Sequence, residues 1–186
     1  MKTIAVIFIT ACLLALSVHT QAQRYMTRNG NISFFSEAPA EDIEAHNRQV
    51  NSALDLSTGD FIFSVLMKSF QFEKALMQEH FNENYVLSHE FPNARFQGKV
   101  LNMDEINFDT PGSYPATIEG DLIIKGVTQS IREEGVFEVL EDGNIHGTST
   151  FEVAVADYEI KIPRAVINNI AEQIEVKVDV LLAPLK

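Results

Sequence analysis

Residues 174–182, Ile174-Glu175-Val176-Lys177-Val178-Asp179-Val180-Leu181-Leu182, alternate apolar and charged side chains over most of their length. Successive side chains of an extended strand point to opposite faces. Ile174, Val176, Val178, Val180 and Leu182 therefore share a dry face, while Glu175, Lys177 and Asp179 share a wet one. The same period returns upstream. Ala116, Ile118, Leu122 and Ile124 oppose Thr117, Glu119, Asp121 and Lys125, and Phe151, Val153 and Val155 oppose Thr150 and Glu152.

Working outward, period-two alternation dominates from residue 50 onward, and turn residues fall between the alternating runs. Ser57-Thr58-Gly59-Asp60 separates 50–56 from 61–67, and Lys125-Gly126-Val127-Thr128 follows Ile124. Glu141-Asp142-Gly143-Asn144, with the Asp-Gly pair that favours hairpins, separates 131–140 from 145–155. Arg28-Asn29-Gly30-Asn31 reads as a further tight turn, between 24–27 and 32–36. With 95–101 these segments make about eight or nine strands, the number expected of a sandwich or a closed barrel. Residues 73–81 (EKALMQEHF) interrupt them with good helix formers, which predicts a short helix between strands. Residues 107–115, with Pro111-Gly112 and Pro115, are expected to be a loop. The predicted fold is all-β, a single antiparallel eight-stranded barrel with one inserted helix.

The first residues read as a removable leader. Lys2 gives a positive start, 4–18 are nearly all apolar or small, and Thr20-Gln21-Ala22 offers small residues at the two positions a signal peptidase reads. Residues 1–22 are expected to be a signal peptide and 23–186 the barrel domain, exported to the periplasm or secreted. Cys12, the single cysteine, lies inside this leader; the apolar run Leu13-Leu14-Ala15-Leu16 continues past it, against a lipid-modified cysteine. A mature chain without it has no disulfide, thiolate nucleophile or Cys-based metal site. The full chain carries a net charge of −12, and Lys2 is the leader's only ionised side chain, so the mature form is more acidic still. Such a surface repels phosphate backbones and anionic headgroups, which excludes nucleic acid as an expected partner.

No catalytic constellation stands out. His46, His80, His89 and His146 share no i, i+2 or i, i+4 spacing that would aim two imidazoles at one metal. Ser88-His89-Glu90 places three triad-type residues side by side, where they cannot face one another, and no G-x-S-x-G elbow, P-loop or G-x-G-x-x-G occurs. Glu133-Glu134 and Asp104-Glu105 are adjacent carboxylates that point apart on a strand and are expected to be solvated. No enzyme activity, cofactor or metal is predicted.

What remains is apolar capacity, with 13 Phe and 5 Met against 0 Trp. Phe61, Phe63, Val65, Met67, Phe72 and Leu76 belong to the proposed inward set or the helix, as do Met77, Phe81, Phe91 and Phe96. With Ile118, Leu122 and Phe151 they are the candidate cavity lining. An eight-stranded barrel either fills its interior with side chains or keeps room for one small ligand. Adaptable Phe and Met suit a flexible apolar guest, and they equally suit an ordinary core. A filled structural barrel that presents a face to an envelope protein therefore stands beside a hollow carrier. A transmembrane barrel alternates as well, but 0 Trp and 4 Tyr cannot furnish its aromatic girdles, so stable membrane insertion is not expected.

Three segments resemble a known family. Gly120-Asp121-Leu122-Ile123-Ile124-Lys125-Gly126-Val127-Thr128 is similar to the G-x-L-x-x-x-G-V-T signature of YceI-like, polyisoprenoid-binding proteins. Met77-Gln78-Glu79-His80-Phe81, followed by Glu90-Phe91-Pro92-Asn93-Ala94-Arg95-Phe96, resembles that family's helix and the segment leading into its next strand. Asp157-Tyr158-Glu159-Ile160 with Ile162-Pro163 resembles its closing segment. The likeness implies a lipocalin-like barrel, exported to the periplasm, around a long isoprenoid or similar amphiphile. Two departures bear on headgroup recognition. The first strand is only loosely echoed by Asn31-Ile32-Ser33-Phe34-Phe35, and Met77-Gln78-Glu79-His80-Phe81 lacks the family's Arg-Asp pair. The expected partner is an apolar or amphiphilic small molecule, and a homodimer is left open.

Overall fold

The computed structural model describes residues 24–185; the expected leader and Cys12 lie outside them. The strands are β1 (Arg24–Ser36), β2 (Ile43–Asp55), β3 (Asp60–Leu66), β4 (Gln71–Phe72), β5 (Asn93–Val100), β6 (Gly112–Ile124), β7 (Val127–Val139), β8 (Ile145–Ala154) and β9 (Gln173–Pro184). Helix α1 (Ala75–His80) runs on into a π-helical turn, Phe81–Tyr85, so the inserted helix is longer at its C-terminal end than 73–81 predicted. The sheet order is β1-β9-β8-β7-β6-β5-β3-β2, and β1 pairs back onto β2. This closes an eight-stranded antiparallel barrel, with the two-residue β4 appended to β2.

The alternating sequence sets the inside and outside of each strand. Val180 and Leu182 are fully buried in β9, and Phe137 and Val139 are buried in β7, with Asp179 and Glu138 facing solvent. Turn chemistry sets the registers. Lys125 and Gly126 both have positive φ, 51° and 76°, and join Ile124 to Val127 in the two-residue hairpin that this geometry permits. At Asp142-Gly143 only the glycine is left-handed, and the hairpin is the longer kind, closed by Gly143 N–H to the Leu140 carbonyl at 3.0 Å.

Two expectations are corrected. Arg28-Asn29-Gly30-Asn31 is not a turn: β1 runs through it, and the segment appears as register shifts between Thr27, Gly30 and Ile32 against β2. A bulge uses the same glycine-rich chemistry as a turn, and here it bends one continuous strand. The 107–115 loop ends early, since β6 begins at Gly112 and pairs Pro115 with Val136 of β7. Proline is tolerated there because the β5 ladder stops at Val100–Ile118, leaving that flank of Pro115 without a strand partner.

The first half of β2 is silent in sequence. Of its inward positions Ile43, Ala45 and Asn47, only the first is large and apolar, so no apolar alternation shows before Val50. Asn47 is nevertheless fully buried, its Nδ2 donating to the Leu66 carbonyl at 2.8 Å and its Oδ1 accepting from the Gln49 amide at 2.9 Å.

Gly98 and Gly120 face each other across β5 and β6. A Cβ on Gly120 would stand 2.4 Å from the Gly98 Cα and 2.5 Å from the Gln97 carbonyl oxygen, both backbone atoms that cannot yield alone. Gly120→Ala is therefore expected to cost about 1–3 kcal/mol by forcing the two strands apart. A urea midpoint equal to that of the parent protein would refute this.

Candidate functional site

One end of the barrel is packed solid. Tyr25, Leu54, Phe61, Phe137, Ile145 and Leu182 form a buried cluster, joined by Ile106 from the segment that follows β5. Phe137 sits edge-on to Phe61, with ring centroids 5.7 Å apart. At the other end, where β4 pairs beside Ala45, α1 and the π-helical turn lie against a second cluster of Val50, Val65, Met67 and Phe70. Phe34, Phe72 and Phe81 pack there in mutual tilted or edge-on contact at 5.1–5.8 Å. Between the clusters lies a cavity of about 360 Å³. That falls within the ~300–1,000 Å³ typical of small-molecule sites. The barrel is thus filled at its floor and hollow above.

Eleven of the thirteen expected lining residues reach this cavity. Phe61, Phe63 and Val65 come from β3, Phe96 from β5, Ile118 and Leu122 from β6, and Phe151 from β8. Met67, Phe72, Met77 and Phe81 close it from the helical end. Leu76 does not reach it: Met77 and Phe81 stand one above the other at i, i+4, which turns Leu76 away, and it is 60% exposed. Phe91 lies outside as well. Its ring packs over the β6–β7 turn, so close that a Cβ on Gly126 would meet it at 2.7 Å. Phe34, Val176 and Val178 border the cavity as well; the two valines belong to the dry face read from the alternation of β9 but not to the candidate lining, and Phe34 stands in an aromatic-rich strand.

The histidines do not converge. His46 pairs with Glu44 at 3.3 Å, His89 with Glu90 at 3.4 Å and His146 with Asp179 at 3.2 Å, all as partly or fully exposed side chains, while His80 borders the cavity. Among the described residues no three His, Cys, Asp or Glu side chains are placed to hold a metal ion. Glu41, also on the lining, is ion-paired with Lys74, and that hydrogen bond holds its pKa below the usual carboxylate value.

One carboxylate overturns its expected solvation. On β7 the inward positions are Ile131, Glu133, Gly135 and Phe137, so Glu133 enters the apolar lining while Glu134 points out. Desolvation, aided by the negative charge of Glu134, raises the Glu133 pKa. The two carboxylates do face apart, with Glu133 on the dry side of the strand.

The YceI-like domain profile matches residues 17–182. The chain belongs to this family. Solved structures agree in fold. A polyisoprenoid binding domain from Saccharophagus degradans, implicated in plant cell wall breakdown, superimposes with a TM-score of 0.76 at 11% identity, covering 87% of this chain and 98% of that one. BcnA of Burkholderia cenocepacia gives 0.63 at 12% identity over 83% and 96%. The Campylobacter jejuni YceI protein gives 0.58 at 14% over 76% and 84%. No curated protein sequence matches the chain.

The YceI-like segments prove to be mutual contacts. The G-V-T hairpin is capped by Phe91 of the Phe91-Pro92 segment, and its Lys125 Nζ donates to the Glu159 carbonyl at 2.8 Å, in the closing segment. That closing segment buries Tyr158 and turns Ile160 and Ile162 into the cavity wall.

Proposed function

We propose that this YceI-like protein is a non-enzymatic carrier that holds a long apolar or amphiphilic ligand, a polyisoprenoid or related lipid, inside its barrel. The observation that carries this reading is the apolar cavity above a solid floor. Family membership and the polyisoprenoid binding domain of Saccharophagus degradans, alike in fold, point the same way. The driving force is burial, at about 0.8 kcal/mol per methylene removed from water, so a few isoprene units give useful affinity without charged contacts. Action in the periplasm or outside the cell, after removal of residues 1–22, completes the reading.

Native mass spectrometry of the purified mature protein, with extraction of what it carries, is the test. The expected result is a bound apolar chain in stoichiometric amount. A protein that carries nothing and also fails to take up a neutral, polarity-sensitive dye overturns the carrier.

A further inference from the structure

Two features of the cavity wall coincide. β6 and β7 are paired along their full lengths, Gly112–Val139 to Ile124–Val127, whereas β7 and β8 pair only from Gly135–Ser149 to Val139–Ile145. Beyond Gly135 the strands part, so 127–134 of β7 have no strand partner on that side. The seam is spanned again further along, where Gln129 Nε2 donates to the Asp157 carbonyl at 2.7 Å. Val136 and Thr148, an outward-facing pair at the head of this split, also border the cavity, so the void reaches the surface here.

Glu133 is the first inward side chain beyond the split. It lies across from Ile118, and its cavity neighbours on β7 and β8 include Ile131, Phe151 and Val153. Among the described residues, no cation forms a salt bridge with it. The other charged or titratable lining groups lie elsewhere, and Tyr85 belongs to the π-helical turn at the helical end of the cavity. Glu41 is paired with Lys74, and His80 belongs to α1 by β4 and β2, which stands diametrically across the ring from β7. Arg95 occupies an outward position of β5, alternating with buried Ala94 and Phe96. Glu133 is a half-buried carboxylate among apolar side chains, partly stripped of water without a cation beside it, and a guest that supplies the partner offsets that loss.

We propose that Glu133 is the headgroup anchor of the cavity: an amphiphile lies with its tail inside and a cationic amine head at the β7–β8 split, donating to the Glu133 carboxylate. This rests on the carrier reading and narrows it, because the same carboxylate repels a phosphate or carboxylate head.

The test is displacement of a neutral polarity-sensitive dye by dodecylamine, dodecanol and dodecyl phosphate at neutral pH in physiological salt. Dodecylamine is expected to compete best and dodecyl phosphate worst. Since the acidic surface attracts any cation, the deciding comparison is between two isosteric variants, each confirmed as folded by circular dichroism. Glu133→Gln should weaken dodecylamine by about tenfold or more, the scale of a charge-assisted hydrogen bond, while dodecanol and the dye are held as before. Glu134→Gln, on the outer face, should change nothing beyond the small loss any surface charge gives. If dye binds but Glu133→Gln loses no more dodecylamine affinity than Glu134→Gln does, the anchor is refuted and the carrier stands. If neither dye nor any chain binds, the carrier reading falls and the anchor with it.

Discussion

Phe137→Ala is expected to remove about 3–5 kcal/mol from the unfolding free energy, enough to unfold a marginal domain at physiological temperature. Phe137 is 2% exposed at the centre of the floor cluster, edge-on to Phe61 at 5.7 Å and tilted against Phe108 at 6.1 Å. Truncation loses the transfer energy of the ring and leaves a void that a closed barrel cannot collapse, since both flanks of β7 are hydrogen-bonded at this position. Gly147 lies beside the ring and offers no side chain to refill the space. Denaturant unfolding of the two proteins checks the value, and a loss below about 1 kcal/mol would mean that the floor is not the rigid part of the barrel.

Val176→Trp should have the opposite signature, abolishing uptake without weakening the fold. Val176 pairs with Phe34 on one side and Phe151 on the other, and all three border the cavity. An indole there projects into the void instead of into packed atoms, so it occupies the place of the ligand. Affinity for the neutral dye should drop by at least about tenfold, roughly 1.4 kcal/mol, while the melting temperature holds or rises as expected for a filled cavity. Undiminished dye binding would place the ligand elsewhere. The contrast between these two variants separates the halves of the barrel: the floor carries stability and the hollow carries binding.

How much of this was legible depended on the kind of signal. β9 and β6 could be drawn from their alternation alone, because each buries branched aliphatic side chains on one face and exposes charges on the other. The Lys125-Gly126 turn and the Asp142-Gly143 hairpin were legible for the same local reason. The beginning of β2 was not, because Ala45 and Asn47 are small or polar and owe their burial to tertiary neighbours, among them the Leu66 carbonyl that Asn47 meets. Gly30 was misread because a bulge and a turn use the same residues, and only the partner strand tells them apart. Most of the lining followed from strand parity. Leu76 and Phe91 failed because helix rotation and loop packing are not fixed by parity. Glu133 failed most instructively: parity showed that Glu133 and Glu134 face apart, but a preference for solvated charge outweighed the apolar company of Ile131 and Phe137.

The unzipped stretch of β7 has a further consequence, for how the protein behaves in a crowd. A closed barrel normally has no free rim of backbone amides and carbonyls, whereas this one keeps a short length of it, a template onto which a stranger's strand could hydrogen-bond. The outward side chains there are Thr128, Ser130, Arg132 and Glu134, and across the gap Thr150 and Glu152, all exposed. Recruiting another chain along this rim would desolvate Arg132, Glu134 and Glu152, so the opening remains accessible to a small guest and unfavourable for aggregation.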